Sequence, residues 1–352
     1  NYDENLTRAS RSNTGKDRDE FVRDFMCPFF RKYAAAIRSE IPEAIMFCEP
    51  VINFEDLHGD PPPRWIDEQD VGPGYVWAKH YYDGMTLITK QFRNWIGLDQ
   101  LNEVPVFAHS NVVKAHANTL KHYAEEAQSI GSTGCPTLIG ETGIPFDLGL
   151  GPGRNRHRAI AAMNTTMLAL QRNMLNFTLW TYVVDNTFEG GDQWCGEDLS
   201  IWSKDQERLC KEGGDPIYDG GRALPAVIRP YAHLVAGRPV KMSYDPYDKT
   251  RLFEFSYVPT LNDTTKKKKR RIHYDDAETS VFFIPQYVYR SEKETNIEVS
   301  PPGCVYKFDW NSQTLLVKNP VDTTDSLVFV RVSLKKQRQR SKRSKTPTRK
   351  KR

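Results

Sequence analysis

The chain has 352 residues, 39% of them hydrophobic and 11% aromatic, which suits a soluble globular protein and excludes a fibrous or low-complexity one. The length predicts two domains, and no apolar run approaches the roughly 18 residues of a membrane-spanning helix. The net charge of +4 conceals an acidic body: 6 basic residues lie in 266–271 and 11 in 335–352, which leaves 32 basic residues against 45 acidic ones, a net of −13.

Residues 1–16 are polar and lack the apolar core of a secretory signal; since Asn1 is not Met, the chain is expected to begin inside a protein. Residues 18–39 read as a helix. Phe21, Phe25, Phe29, Tyr33 and Ile37 recur there every four positions, and Pro28 should kink it. Phe47-Cys48-Glu49-Pro50 reads as a strand end carrying a carboxylate, and Pro61-Pro62-Pro63 as a loop at the rim of the sheet. Trp77-Ala78-Lys79-His80-Tyr81-Tyr82-Asp83-Gly84 is a second strand end. A lone His there is more often a satisfied core residue, but a His-Tyr-Tyr-Asp cluster at a strand exit points to a site. Residues 110–129 read as a helix capped by Ser110, with Val113, Ala117, Leu120 and Ala127 on one face.

Thr137-Leu138-Ile139 is a short apolar run read as a buried strand, with Gly140 and Gly143 as its exit. Glu141 therefore stands where a strand ends. A glutamate is costly in a core unless paired. It either closes a tight turn on backbone amides or serves the face where barrel enzymes place their chemistry. Gly149–Gly153 is a loop, and residues 154–174 read as a helix with Ile160, Met163, Met167, Leu170 and Met174 inward; those methionines are read as core filler. Residues 177–185 read as a strand with Trp180 near its middle, followed by a loop to Trp202 rich in Gly, Asp and Trp. Aromatic faces and carboxylates in this mixture suit sugar rings and their hydroxyls. After about Pro239 the pattern turns to strands alone: 252–258, 279–284, 305–310, 314–318 and 327–334 predict a small antiparallel β-sandwich.

The six cysteines show no CxxC and no regular framework, the eight histidines no HExxH, and no glycine-rich phosphate loop follows a strand. No metal and no organic cofactor is expected. Sparse disulfides favour a reducing compartment, although Cys195 and Cys210 are close enough in sequence to pair. The tail from Lys335 to Arg352 predicts disorder. Its roles range from solubility, through attraction to an anionic membrane, to a nuclear-import or nucleic-acid patch. It has no interleaved aromatics for base stacking, so nucleic acid is not the expected partner.

Three segments carry a family resemblance: LIGETGIPFD at 138–147, FTLWTYVVDNTFEGGDQWCGEDLSIWS at 177–203, and GGRALPAVIRPYAHLVAGRPVKMSYD at 220–245. In that order they resemble the C-terminal half of glycoside hydrolase family 5, nearest its fungal glucosylceramidase and steryl β-glucosidase branch. The resemblance implies a (β/α)8 TIM barrel followed by a β-sandwich, and retaining hydrolysis of β-glucosides on lipid aglycones. Here the barrel would lack its N-terminal strands. The expected domains are 1–236 for the C-terminal half of the barrel, 237–334 for the sandwich and 335–352 for the basic tail. By motif match Glu141 is the nucleophile at the end of the seventh strand, Trp180 the sugar platform on the eighth, and His80 and Tyr82 pocket residues on the sixth. Phe188 and Trp194 would line the aglycone side.

The chain departs from the family pattern at Thr142, Gly190 and Cys195, which bears on the shape of the sugar and aglycone sites. It also contains no Asn-Glu-Pro, the family's acid/base motif at the end of strand four. Glu49, which ends the fifth strand by backward count, is read as a pocket-rim residue rather than that acid. Without an acid/base a degenerate barrel would bind glycolipid without turning it over, and a third reading makes the tail an electrostatic adaptor. The enzyme reading implies a glycolipid substrate and a location inside the cell, cytoplasmic or peripheral to an internal membrane.

Overall fold

The computed structural model describes residues 21–50, 74–130, 133–149, 156–209, 216–259, 278–319 and 327–335. Expectations for 1–20, Pro61–Pro63, 266–271, Cys210 and the tail beyond Lys335 lie outside them. The chain divides into two units between Ile228 and Arg229.

In the first unit a π-helical turn, Val22–Met26, leads into α1 (Cys27–Glu40). Pro28 lies in the first turn of α1, two residues after the π-helical turn, so the helix changes type next to the expected kink. The aromatic stripe is also placed differently from a core face. Phe25, Phe29 and Tyr33 are exposed and stack along the helix, Phe29 on Tyr33 at 5.8 Å. The buried side of α1 is Cys27 and Ala34, with Phe30 and Ile37 packed beside them.

Then follow β1 (Met46–Cys48), β2 (Tyr75–His80), α2 (Gly84–Thr89) and a hairpin of β3 (Ile96–Asp99) with β4 (Val104–Phe107). α3 (His109–Ser129) leads to β5 (Thr137–Thr142), α4 (Arg156–Arg172) and β6 (Asn176–Leu179). The strands β1, β2, β5 and β6 form one parallel sheet in that order. Helix–strand alternation of this kind is how parallel strands are joined, since each return needs a crossover. On one face of β2, Tyr75 and Trp77 are buried against α3: the Trp77 indole donates to Glu126 at 3.3 Å, and Lys79 pairs with the same carboxylate at 2.9 Å. The intervening residues, His80 among them, face the other way.

α3 buries Val113, Ala117, Leu120 and Ala127 as the spacing predicts. Ser110 does not cap it: the helix starts at His109 after Ala108, whose positive φ of 73° turns the chain in. α4 buries Ile160, Met163, Met167 and Leu170, while Met174 lies beyond its end at φ 50°. β6 stops at Leu179, well short of the expected Asp185. The physical cause is competition for backbone partners: Thr181 donates to Leu199, Ile201 donates back to Thr181, and Val183 donates to the Ser200 hydroxyl. The following loop, not the sheet, claims these groups. A short helix, α5 (Leu224–Val227), closes the unit.

The second unit holds two antiparallel four-stranded sheets. Its strands are β7 (Tyr231–Leu234), β8 (Gly237–Tyr244), β9 (Phe253–Pro259), β10 (Thr279–Phe283), β11 (Thr295–Ser300), β12 (Val305–Asp309), β13 (Thr314–Lys318) and β14 (Val328–Leu334). One sheet runs β12-β13-β10-β7 and the other β11-β14-β9-β8. Phe253, Phe255, Tyr257, Phe282, Leu315, Val317, Val330 and Val332 are fully buried and come from both sheets. β7 and β8 lie around the expected boundary at 236/237. β7 already pairs with β10, so the second unit begins earlier, at Arg229.

Candidate active site

Three of the four parallel strands bring their carboxyl ends to one cluster, and β6 ends beside it. Glu49 follows β1, His80 ends β2, Glu141 is next to last in β5, and Trp180 follows β6. The open crevice at such strand ends is where parallel α/β sheets hold ligands. The Tyr82 hydroxyl donates to Glu141 Oε2 at 2.9 Å. His80 Nδ1 lies 3.2 Å from the same oxygen, and His80 Nε2 lies 3.0 Å from Glu49 Oε1. Glu141 keeps 26% of its side-chain surface exposed, so it is held firmly yet reachable.

Local sequence explains this closeness. The register of β2 against β5 slips between Lys79 and His80, so that Ile139 pairs with Lys79 and Glu141 with His80. Gly140 is the skipped residue. A Cβ on it would stand 3.2 Å from the Ala78 carbonyl oxygen and 3.3 Å from the His80 ring. Gly143 serves the other flank: a Cβ there would overlap the Trp180 carbonyl oxygen, while Trp180 N donates to Thr142 O at 2.9 Å. The Trp180–Thr181 peptide is cis. Gly143→Ala is therefore expected to push Trp180 off its position. It should cost about 1–3 kcal/mol of stability as overpacking does, together with a fall in kcat/KM, checked by thermal unfolding and steady-state kinetics of the intact protein.

Tyr82 has its phenol raised well above the ordinary range, first by burial and then by the hydrogen bond to Glu141, with the charges of Glu141 and Glu197 adding to it. It stays a proton donor to Glu141 across the accessible pH range. Glu197 is an acidic neighbour of Tyr82 that the sequence reading did not count among the site residues. Its acidic segment gives a cue, but its approach to Tyr82 depends on the fold of the loop.

That loop corrects one expectation. Asp192 and Asp198 do not face a sugar, being buried. Asp192 accepts from Leu199 N at 2.6 Å and Ser200 N at 3.1 Å, and Asn186 donates to both Asp192 and Asp198 at 2.9 Å. Arg222 binds Asp198 through two nitrogens at 3.0 and 2.6 Å and caps the Phe146 ring at 4.1 Å. Trp194 is exposed on the loop surface and Phe188 half-buried. Cys195 is an exposed free thiol. Among the described residues no group of three or more His, Cys, Asp and Glu is arranged to hold a metal ion, and no helix is long and apolar enough to cross a membrane.

Known proteins resemble this chain over most of its length. Residues 229–332 match the glycoside hydrolase family 5 C-terminal domain. The chain is 29% identical to a glucosylceramidase of Rhizopus delemar over 307 residues, 81% of this chain and 41% of that protein. It is 32% identical to an ergosteryl-beta-glucosidase of Saccharomyces cerevisiae over 162 residues, 42% of this chain and 21% of the relative. Among solved structures, Cryptococcus neoformans sterylglucosidase 1 superposes with a TM-score of 0.74 at 25% identity, over 90% of this chain and 45% of that one. The chain spans about two fifths or less of the length of the curated relatives it matches. The likenesses give a TIM-barrel-like α/β unit followed by a β-sheet domain. The chain is thus identified as a relative of the fungal glucosylceramidases and steryl glucosidases, carrying the glycoside hydrolase family 5 C-terminal domain.

Proposed function

We propose that this chain supplies the nucleophile half of a retaining β-glucosidase that hydrolyses lipid glucosides, with a steryl glucoside or glucosylceramide as substrate. The observation that carries the reading is Glu141, a partly exposed carboxylate at a parallel strand end, gripped by Tyr82 and His80. Glu141 attacks the anomeric carbon as the bond to the aglycone oxygen breaks. Water then releases glucose from the glycosyl ester, and the stereochemistry is retained. His80, Tyr82 and Trp180 line the glucose, and Phe188 and Trp194 the aglycone. No step calls for a metal or organic cofactor.

The acid/base that protonates the leaving oxygen is assigned to a further segment with four more strands. A closed barrel needs eight, and among the described residues the parallel sheet has four. Both outer strands, β1 and β6, have one strand neighbour each among the described residues, and Phe47 and Phe177 on them are exposed. An exposed apolar sheet edge invites such completion. Residues 1–228 are then half a barrel, and 335–352 a basic tail for peripheral contact with anionic membrane. The free cysteines suit an intracellular, reducing location.

The test is covalent trapping in the intact protein with a 2-deoxy-2-fluoro-β-glucoside, whose fluorine slows release of the ester. Peptide mass mapping is expected to find the sugar on Glu141; a label on another carboxylate overturns the assignment. Tyr82→Phe should still trap but turn over about 10- to 100-fold more slowly, as loss of a hydrogen bond to a charged group implies. Unchanged kcat/KM in that variant would show that Tyr82 does not assist Glu141.

A further inference from the structure

The proposed mechanism leaves Glu49 without work. It is a carboxylate at 43% side-chain exposure whose described contact is His80 Nε2, at 3.0 Å. His80 meets Glu141 with its other nitrogen, Nδ1, at 3.2 Å. The three side chains make a chain of carboxylate, imidazole and carboxylate across the ends of β1, β2 and β5.

Proton counting decides what this arrangement means. An ionised carboxylate only accepts hydrogen bonds, and a neutral imidazole has one N–H and one bare lone pair. A neutral ring between two carboxylates would press that lone pair against an oxygen. Two N–H groups on the ring would satisfy both contacts. The other charged and titratable groups fit that count. Tyr82 donates to Glu141 Oε2, Glu197 adds negative charge near Tyr82, and Lys79, on the opposite face of β2, is engaged by Glu126.

Resting on the function proposed above, we infer that Glu49 is a positioning residue: it keeps the proton on His80 while Glu141 is esterified. His80 and Tyr82 both address Oε2, and no described residue donates to Oε1, so Oε1 is the attacking oxygen. In the first step the C1–aglycone bond breaks and the C1–Oε1 bond forms. Glu141 loses its negative charge, and Glu49 becomes the one carboxylate paired with the imidazolium. In the second step water bonds to C1, its proton goes to the acid/base, and the C1–Oε1 electron pair returns to Glu141. The imidazolium that Glu49 has held in place then meets the returning charge. Glu49 itself neither gains nor loses a proton over the cycle.

The experiment is pre-steady-state kinetics of Glu49→Gln in the intact protein, with an aryl β-glucoside whose leaving group needs no acid. Release of glucose should slow while formation of the ester does not. A burst of phenolate appears, kcat and KM fall together by about 10- to 100-fold, and kcat/KM stays within about threefold of the parent. Glu49→Asp, which keeps the charge, should recover most of kcat. Nitrogen-15 spectra of His80 should show two N–H groups in the parent and one in the trapped ester of Glu49→Gln. Equal slowing of both steps, or two N–H groups persisting in that ester, overturns the inference. If Glu49→Gln unfolds, the same readouts on Glu49→Asp decide: parent-like burst amplitude and kcat support a role for charge, and loss of both overturns it. Trapping on Glu141 stands apart from these readouts, so failure of the parent reading would be seen separately.

Discussion

On the function proposed above, Glu141→Gln in the intact protein is expected to abolish hydrolysis of the lipid β-glucoside, by at least about 10⁴-fold in kcat, the scale on which removal of an attacking residue acts. The amide is nearly isosteric with the carboxylate, so Tyr82 can still donate to its oxygen and the fold should be retained. What is lost is the negative oxygen that forms the bond to C1. A companion variant makes the assignment specific. Glu141→Gly leaves a gap at the strand end, and added azide should fill it. Azide attacks C1 from the vacated side, the aryl leaving group departs, and the product is the α-glucosyl azide. Restored turnover with that inverted product identifies Glu141 as the nucleophile. Glu141→Gln with wild-type turnover, or no azide rescue together with trapping on another residue, would remove Glu141 from the mechanism.

Arg222→Leu should be the most damaging change outside the reacting groups. Arg222 and Asp198 are 4% and 3% exposed, and the guanidinium also donates to the Ser200 carbonyl at 2.8 Å. Removing the cation leaves a buried carboxylate with Asn186 as its remaining side-chain donor. Breaking one side of a buried pair costs about 3–5 kcal/mol, roughly 6–20 °C in melting temperature for a unit of this size. Activity should fall as well. Phe146, which Arg222 caps, donates its amide to Asp198 O at 2.7 Å and lies in the segment that follows Glu141. Thermal unfolding of the single variants and of Arg222→Leu with Asp198→Leu measures the coupling. The double variant should be no less stable than the worse single one, since neither charge is then stranded. Additive losses would mean that the two residues act independently.

Several features were legible along the chain because they depend on neighbours in sequence. The apolar run at 137–139, the period of α3 and α4, and the alternating strands after residue 250 each report a local burial pattern. Glu141, His80 and Tyr82 stood out because polar groups at the end of an apolar strand need a reason to be there. The exposed stripe of Phe25, Phe29 and Tyr33 shows the limit of that reasoning: periodicity reports which residues share a helix face, not what covers it. Ser110 failed as a cap for a similar reason, since Ala108 sets the start of α3 through its backbone geometry.

What the amino-acid sequence determined by itself is the alternation of the long helices with the parallel strands, the strand-only character of the second unit, and the identity of the side chains at each strand exit; the β3–β4 hairpin and β11 were not read from it. Tertiary structure alone decided which of those side chains meet. The one-residue slip at Gly140 sets His80 against Glu141, the parallel pairing of β1 with β2 brings up Glu49, and Arg222 turns Asp198 inward, away from solvent. Each is a contact between residues 24 or more positions apart. Register and loop closure are settled by the summed burial and hydrogen bonding of whole elements, and no local pattern carries that sum.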